Sequence, residues 1–183
     1  MPVILLLCSA NVCRSVMAQA MLSRRLAGPG ARPVDVASAG LLDGGRPPPP
    51  EVLRVMAARG IDVAAHRSRR VTPDDLASAD LILGLAREHV RHAAVMVPGS
   101  WPRAFTLHEL LRRGLQVGPR PPGEPLRTWL ARAAADRNRR DLLGGGSADD
   151  VPDPHGGPLA RYQATATLLD TLTQDLAALC WPG

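Results

Sequence analysis

The sequence contains no lysine, and all 22 of its basic residues are arginine. Aromatic residues are also scarce, with one tyrosine, one phenylalanine and three tryptophans in 183 residues. Because basic residues do not alternate with aromatic ones, the pattern does not predict nucleic-acid binding. The formal net charge of +5 favours anionic partners, although charge alone predicts no more than an arginine-rich surface.

Cysteine is nearly absent as well. The three cysteines, Cys8, Cys13 and Cys180, are too few for a disulfide framework. The apolar run at residues 3–7 is too short for a signal peptide or a membrane span. We therefore expect a cytoplasmic protein that does not bind membranes and keeps its thiols reduced.

The hydrophobic pattern alternates between strand-like and helix-like segments, over a length that fits one domain, residues 1–183. Strands are predicted at residues 3–7, 34–40, 79–85 and 103–107. Helices are predicted at residues 15–27, 51–59, 87–96, 108–114, 124–140 and 158–179, with another beginning at Thr72 and Pro73. Such alternation is typical of an α/β fold, in which a parallel sheet lies between helices on both faces. Ligands of these folds bind beyond the carboxyl ends of the strands.

A cysteine stands at the end of the first predicted strand, and five residues separate it from an arginine in "CSANVCRS", residues 8–15. Backbone N–H groups between a strand and a helix can curl around an anion, and the helix N-terminus adds its positive dipole end. Cys8 is then a candidate thiolate nucleophile, and Arg14 is a candidate clamp for two phosphate oxygens. The rest of the predicted phosphate-binding loop consists of Ser9, Ala10, Asn11, Val12, Cys13 and Ser15. A nucleotide-binding GxxxxGK[ST] motif is absent from the sequence.

A second motif, "DDVPDPHGG" at residues 149–157, places three carboxylates before the last predicted helix. Expelling an alkoxide or phenoxide from phosphorus requires a proton donor near the leaving oxygen. We predict Asp153 as this general acid, because prolines on both sides restrict the loop, and Asp150 is the alternative. The neighbouring glycines, "GGGS" at residues 144–147 and "GG" at residues 156–157, are predicted hinges.

These motifs resemble the low-molecular-weight protein tyrosine phosphatase family, whose signature C-x-G-N-x-C-R-S-P is similar to residues 8–16. The likeness continues through "SAG" at residues 38–40, "GIDVAAHRSRRVT" at 60–72, "ADLILGLAREHV" at 79–90 and "DVPDP" at 150–154. It implies a three-layer α/β fold with a four-stranded parallel sheet and flavodoxin-like winding. It also implies a phosphate-monoester hydrolase that forms a cysteinyl-phosphate without metal or cofactor. Its partner would be a phosphorylated protein or a small phosphate ester.

The resemblance also assigns roles to individual residues. Cys8 would be the nucleophile, Arg14 the phosphate clamp and Asp153 the general acid and base. A supporting hydrogen-bond network that holds the loop open would comprise Asn11, Ser15, Ser38 and His66.

Several positions differ from the family pattern. Ala10 replaces a usual glycine, so we expect some strain in the loop. Val16 replaces a usual proline, so we expect the start of the helix to be less preorganised. Aromatic residues that usually flank the acid and follow Gly40 are missing, which predicts a wider pocket or a different phosphate ester. Residues 118–146 exceed the family minimum and include the arginine-rich helix at 124–140. We interpret that helix as a solvated face rather than as a surface for an acidic partner.

Two other functions remain open at this stage. One is arsenate reduction on a similar scaffold. Residues 14–179 contain no cysteine that could act as a further redox partner, so this reaction would need a small external thiol. The other is non-catalytic binding of a phosphorylated ligand. Cys13 is either a redox partner of Cys8 or a small buried side chain. We interpret His89 and His92 as part of a solvated helix face rather than as metal ligands. His155 is expected at the rim of the pocket. We expect the protein to be a monomer or a weak dimer.

Overall fold

Four parallel strands form one sheet in the order β2-β1-β3-β4 in the computed structural model, which describes residues 1–28, 33–142 and 148–182. The strands are β1, Val3–Cys8; β2, Asp35–Gly40; β3, Leu81–Gly84; and β4, Ala104–Thr106. The helices are α1, Arg14–Leu26; α2, Pro50–Ala57; α3, Pro73–Ser78; α4, Arg87–Met96; α5, Leu107–Val117; α6, Leu126–Ala133; and α7, Leu159–Cys180. Short 3-10 helices lie at Pro98–Arg103 and Arg139–Leu142. The predicted α/β fold is confirmed.

The central strand β1 is buried on both faces, as its uninterrupted apolar run predicts. Its side chains alternate across the sheet. Ile4 and Leu6 join the core that contains residues of α1 and α7, whereas Leu5 and Leu7 join the core that contains residues of α3 and α4. Helices therefore cover both faces, and the last residue of β1 emerges at the middle of the sheet edge.

The strand register brings three loops to that edge. Cys8 pairs with Gly40, the last residue of β2, and Leu7 pairs with Gly84, the last residue of β3. Because the strands are parallel, the segments that follow them start side by side. The edge beyond Cys8 is therefore where the structure can assemble residues from distant parts of the chain.

The start of α3 shows how local sequence sets an element boundary. The Thr72 hydroxyl accepts a hydrogen bond from Asp75 N at 3.2 Å, and the Asp75 carboxylate accepts one from Thr72 N at 2.9 Å. Pro73 occupies the first helical position, where its missing N–H costs nothing. Within the ranges described above, none of the helices has both the length and the apolar character needed to cross a bilayer.

The helix predicted at residues 124–140 is wrong in its extent, because α6 ends at Ala133. Beyond the end of α6, the Arg137 guanidinium packs against two aromatic rings. Its guanidinium carbon lies 3.8 Å from the ring centre of Trp101 and 4.0 Å from that of Phe105. This tertiary contact overrides the helical pattern of the segment. Residues 143–146 of the predicted long segment lie outside the described residues.

Arg137 also contradicts the interpretation of this segment as a wholly solvated arginine face. Its side chain is 1% exposed, and its Nε lies 2.8 Å from Glu109 Oε1 on α5. The same guanidinium donates to the carbonyl oxygens of Trp101 and Ala104 at 2.8 and 2.6 Å. Burial lowers the pKa of the Arg137 guanidinium, and its hydrogen bond to Glu109 opposes that shift. Arg137 thus fastens the segment to β4, to the 3-10 helix before it and to α5.

We expect Arg137→Ala to lower the free energy of unfolding by about 3 kcal/mol, because it leaves two buried carbonyls without this donor and removes one of the two arginines that pair with Glu109, the other being Arg113. Arg132→Ala, which removes an exposed ion pair with Glu124, should cost less than about 1 kcal/mol. Urea denaturation of the two variants measures both values. Equal losses would show that Arg137 does not hold the segment.

Candidate active site

The loop between β1 and α1 ends in a helix whose first turn is uncapped. Cys13 is the N-cap residue of α1, and its side chain makes no capping hydrogen bond. The first turn of α1 also contains no acidic residue. The N–H groups of that turn consequently remain available to an anion, and the helix dipole favours one there.

Asn11 gives the loop its shape. Its φ of 51° lies in the left-handed region, and it is the one non-glycine residue in the described ranges with a positive φ. Asparagine adopts this conformation at lower cost than most residues. The turn at Asn11 directs its backbone N–H to the sulfur of Cys8, at 3.2 Å. Ala10 itself needs no left-handed backbone, so the strain expected from its missing glycine is absent.

The side chain of Asn11 ties the loop to three other segments. Its Nδ2 donates to the hydroxyls of Ser15 and Ser38, both at 2.9 Å. Its Oδ1 accepts a hydrogen bond from Arg69 N at 3.0 Å. His66 Nε2 donates to the Asn11 carbonyl oxygen at 2.9 Å. The structure therefore brings Asn11, Ser15, Ser38 and His66 into one hydrogen-bonded group, with Gln19 adding an acceptor for Ser38 at 2.6 Å.

Two donors face the sulfur of Cys8, which is 3% exposed. One is the N–H of Asn11, and the other is the hydroxyl of Ser15 at 3.0 Å. Since Ser15 already accepts from Asn11 Nδ2, its own proton is free to point at the sulfur. Both donors would stabilise negative charge on Cys8.

Gly40 lets this loop pack against the end of β2. A Cβ atom at Gly40 would lie 2.9 Å from Ser9 O and 3.0 Å from Asn11 Cβ, too close for any other residue. The backbone of Ser9 is fixed there, because its carbonyl oxygen accepts from Leu41 N at 2.8 Å and Leu42 N at 3.0 Å. The glycine of "SAG" is thus explained by close approach of two backbones.

Arg14 faces the second motif. Its Nη2 lies 2.6 Å from Asp153 Oδ2, and its Nη1 donates to the Val151 carbonyl oxygen at 3.2 Å. The Arg14 side chain is 6% exposed and that of Asp153 is 45% exposed. The structure therefore brings the cysteine loop and the predicted acid together, although 139 residues separate Arg14 from Asp153.

The acid loop is anchored on the amino-terminal side of Asp153. Asp150 Oδ1 accepts a hydrogen bond from Arg87 N at 2.7 Å at the start of α4, and Val151 N donates to Leu85 O at 2.8 Å. Asp150 therefore caps a helix, which distinguishes it from Asp153. A hydrogen bond from Arg112 lowers the pKa of Asp149. Of the two predicted hinges, residues 156–157 are described, and residues 144–147 lie outside the described ranges.

A cavity of about 230 Å³ lies above the cysteine. It is lined by Cys8, Ser9, Ala10, Val12, Cys13, Arg14, Leu42, Arg46, Asp153 and His155. No aromatic side chain lines it in the described part of the chain, in agreement with the missing aromatics of the sequence. Arg46 has an exposed side chain, whereas its backbone is fixed by Ser68. His155 is at the cavity, as its position after the acid suggested.

The other two cysteines are not suited to act as nucleophiles. Burial, reinforced by the charges of Asp153 and Cys8, raises the pKa of the Cys13 thiol to about 12. Burial also raises the pKa of Cys180 to about 12. Cys13 Sγ lies 3.8 Å from His155 Nδ1, and all three cysteines are free.

The interpretation of His89 as a solvated residue is wrong. His89 is fully buried, and its Nε2 lies 3.2 Å from the hydroxyl of Ser9 in the cysteine loop. The expectation failed because helical spacing says which residues share a face but not which face meets the neighbouring loop. The sequence did hold a signal for the buried position of His89. This histidine lies two residues after the start of a helix that follows a central strand, and such helices begin at the ligand-binding edge of the sheet.

Comparisons with known proteins find relatives in sequence and in fold. The sequence profile of the low molecular weight phosphotyrosine protein phosphatase family matches residues 3–115, which include Cys8 and Arg14 but not Asp153. The chain is 38% identical over 108 residues to the probable low molecular weight protein-tyrosine-phosphatase EpsP of Ralstonia solanacearum, covering 58% of this chain and 71% of the relative. It is 27% identical over 175 residues to a protein-arginine-phosphatase of Geobacillus stearothermophilus, covering 95% and 93%. The crystal structure of a low molecular weight protein tyrosine phosphatase from T. tengcongensis has a TM-score of 0.72 at 27% identity, covering 96% of this chain and 97% of that one.

The thiol environments predict selective alkylation. Near neutral pH, iodoacetamide should modify Cys8 alone, because raised pKa values keep Cys13 and Cys180 protonated. Inorganic phosphate should slow the reaction by occupying the loop. Peptide mass mapping with and without phosphate measures both effects. Alkylation of Cys13 at a rate equal to that of Cys8 would contradict the assignment of their environments.

Proposed function

This chain belongs to the low molecular weight phosphotyrosine protein phosphatase family, and we propose that Cys8, Arg14 and Asp153 carry out its phosphate-monoester hydrolysis. The observation that supports this assignment best is the convergence of a thiol, a buried guanidinium and a carboxylate on one cavity of about 230 Å³. The shared signature accounts for the first two residues. Asp153 lies beyond the matched range, so its role depends on the 2.6 Å contact with Arg14.

Binding begins with an exchange of partners at Arg14. In the structure, the Asp153 carboxylate accepts a hydrogen bond from one N–H of the guanidinium. A phosphate dianion that enters the loop would take over this donor, together with the N–H groups of the first turn of α1. Asp153 is then released toward the leaving group, and in its protonated form it is the general acid.

In the first chemical step, the Cys8 thiolate attacks phosphorus and an S–P bond forms. The P–O bond to the leaving group breaks, and Asp153 transfers its proton to the departing oxygen. Negative charge on the equatorial oxygens is held by Arg14 and by the backbone N–H groups of the loop. The products are the dephosphorylated alcohol or phenol and a cysteinyl-phosphate.

In the second step, water attacks the cysteinyl-phosphate. The Asp153 carboxylate takes a proton from the water as the new P–O bond forms. The S–P bond breaks, and the sulfur leaves as a thiolate that the Ser15 hydroxyl and the Asn11 N–H stabilise. Inorganic phosphate is released, and Cys8 and Asp153 return to their initial states.

We infer that phosphotyrosine in proteins is the substrate, and phosphoarginine is the second candidate. The similarity to a protein-arginine-phosphatase over 95% of the chain supports the second candidate. Arg46 favours the first, because its positive charge at the cavity would repel a substrate guanidinium. The comparisons do not favour the alternatives of arsenate reduction and non-catalytic binding, since the relatives described above are named as phosphatases.

We also infer a cytoplasmic location and a monomeric or weakly dimeric state. A reducing compartment suits a nucleophile that must remain a free thiol. Large exposed apolar residues within the described ranges belong to separate elements, namely Met1, Leu42, Val95 and Leu115. Scattered residues of this kind do not form the continuous patch of an obligate dimer.

Substrate and nucleophile can be tested together. The wild-type protein should release phosphate faster from a phosphotyrosine peptide than from the matched phosphoarginine peptide. Cys8→Ser should reduce turnover of either peptide by more than about 10³-fold, because a serine hydroxyl is a far weaker nucleophile than a thiolate. Circular dichroism checks the fold, and Cys180→Ala, which lies away from the cavity, is the matched control. Undiminished turnover by Cys8→Ser would refute the nucleophile, and faster phosphoarginine hydrolysis would favour the second candidate.

The role of Asp153 predicts a dependence on the leaving group. Asp153→Ala should slow phenyl phosphate about 10²-fold more than p-nitrophenyl phosphate, because the poorer leaving group needs the proton. Asp150→Asn, which keeps an acceptor for Arg87 N, should slow both substrates to the same extent. Steady-state kcat values for the two esters measure the difference. If Asp153→Ala slows both esters equally, Asp153 is not the general acid.

A further inference from the structure

Arg14 has a second set of neighbours besides Asp153 and Val151. Its Nη2 donates to the hydroxyl of Ser9 at 3.1 Å. Two side chains of α4 contact the same hydroxyl: His89 Nε2 lies 3.2 Å from it, and Glu88 Oε1 lies 3.3 Å from it. His89 Nε2 and Glu88 Oε1 are themselves 3.4 Å apart. The three residues Ser9, Glu88 and His89 form what we call the arginine support.

The directions of these hydrogen bonds follow from which atoms can donate. Arg14 can only donate, and an ionised Glu88 can only accept. Burial, with the charge of Arg14, lowers the pKa of His89 to about 3, so its ring is neutral and carries one proton. Nδ1 has no hydrogen-bond partner. If the ring proton were on Nδ1, Nε2 and the Glu88 carboxylate would both be acceptors, and the single hydroxyl proton of Ser9 could be donated to only one of them. We therefore assign the proton to Nε2.

With this assignment, the proton and both acceptor positions of the Ser9 hydroxyl have hydrogen-bond partners. It accepts from Arg14 Nη2 and from His89 Nε2, and it donates to Glu88. A hydroxyl has two acceptor positions and one proton, so the arrangement leaves no freedom for it to rotate. The oxygen is thereby held with a lone pair facing the guanidinium.

The Ser9 side chain is not required to build the loop. The backbone carbonyl of Ser9 already fixes the loop to Leu41 and Leu42 at the end of β2. Packing does not explain His89 either, because an apolar side chain would fill a fully buried position without leaving Nδ1 unpaired. The polar groups of this cluster converge on Arg14 instead.

We propose that Ser9, held by His89 and Glu88, is a positioning residue that orients the Arg14 guanidinium for phosphate. The inference rests on the proposed role of Arg14. When phosphate displaces Asp153, Ser9 and the Val151 carbonyl are the partners that remain on the guanidinium, one at Nη2 and one at Nη1. Two fixed partners, Ser9 and Val151, set the plane of the Arg14 guanidinium, whereas Val151 alone would leave the guanidinium free to rotate.

Ser9→Ala should therefore lower kcat/KM for p-nitrophenyl phosphate about 10-fold and weaken competitive inhibition by vanadate by a similar factor. Ser9→Thr, which keeps the hydroxyl, should recover most of the loss. His89→Gln, which offers an N–H to Ser9, should be closer to wild type than His89→Leu. Ser100→Ala, which removes a buried hydroxyl bonded to α4 at Ala93 O, is the matched control and should leave both constants unchanged.

A double-mutant cycle with Arg14→Lys separates positioning from a general structural effect. In the Arg14→Lys background, Ser9→Ala should change kcat/KM less than about 2-fold, because the group that Ser9 orients is no longer there. Phosphate protection of Cys8 against iodoacetamide supplies a binding constant when turnover is too slow to measure. An equal effect of Ser9→Ala in both backgrounds, or no effect in either, would overturn the proposal. A wild-type rate for Arg14→Lys would instead refute the role of Arg14 in the proposed function.

Discussion

The loop between β1 and α1 depends on the left-handed backbone of Asn11. With φ at 51°, the chain turns so that the N–H of Asn11 faces the sulfur of Cys8 while its side chain reaches Ser15, Ser38 and the backbone of Arg69. Asparagine, with its short amide side chain, tolerates this conformation, and the hydrogen bonds of the amide offset the conformational free energy that the left-handed backbone costs. Because those partners come from α1, β2 and the segment before α3, the loop is held by the fold and does not need a ligand to form it. The site is therefore organised before an anion arrives.

Sequence patterns could predict the parts of the structure that local chemistry decides. The apolar run of β1, the N-cap at Thr72 and the placement of Cys8 at the end of a strand all follow from short-range rules, and the structure has them. Two expectations failed for one reason. Arg137 left its predicted helix to stack between Trp101 and Phe105, and His89 turned inward to meet Ser9, 80 residues away in the chain. Neither contact has a signature within its own segment, because tertiary packing decides both.

The absence of lysine has a structural counterpart in how arginines hold the backbone. Arg103 donates to the carbonyl oxygens of Ala79, Gly99 and Leu76, and Arg120 donates to those of Cys180 and Glu124. A planar guanidinium with five N–H groups can bind several carbonyls at fixed angles, which an ammonium on a flexible stem does less well. Many of the positive charges are therefore used inside the molecule, where they join loops to helix ends.

The contact between Arg14 and Asp153 would affect how the proposed site responds to free inorganic phosphate. Asp153 is tethered beside the guanidinium at 2.6 Å, so its carboxylate acts as a resident competitor with a high effective concentration. A small anion with nothing else to offer must displace it, whereas a larger substrate gains further contacts from the cavity walls around Leu42 and Arg46. Once Asp153 has lost the proton that it takes from water, its carboxylate would compete in the same way with the phosphate formed at the end of each cycle. A built-in anion of this kind would limit product inhibition without any moving lid.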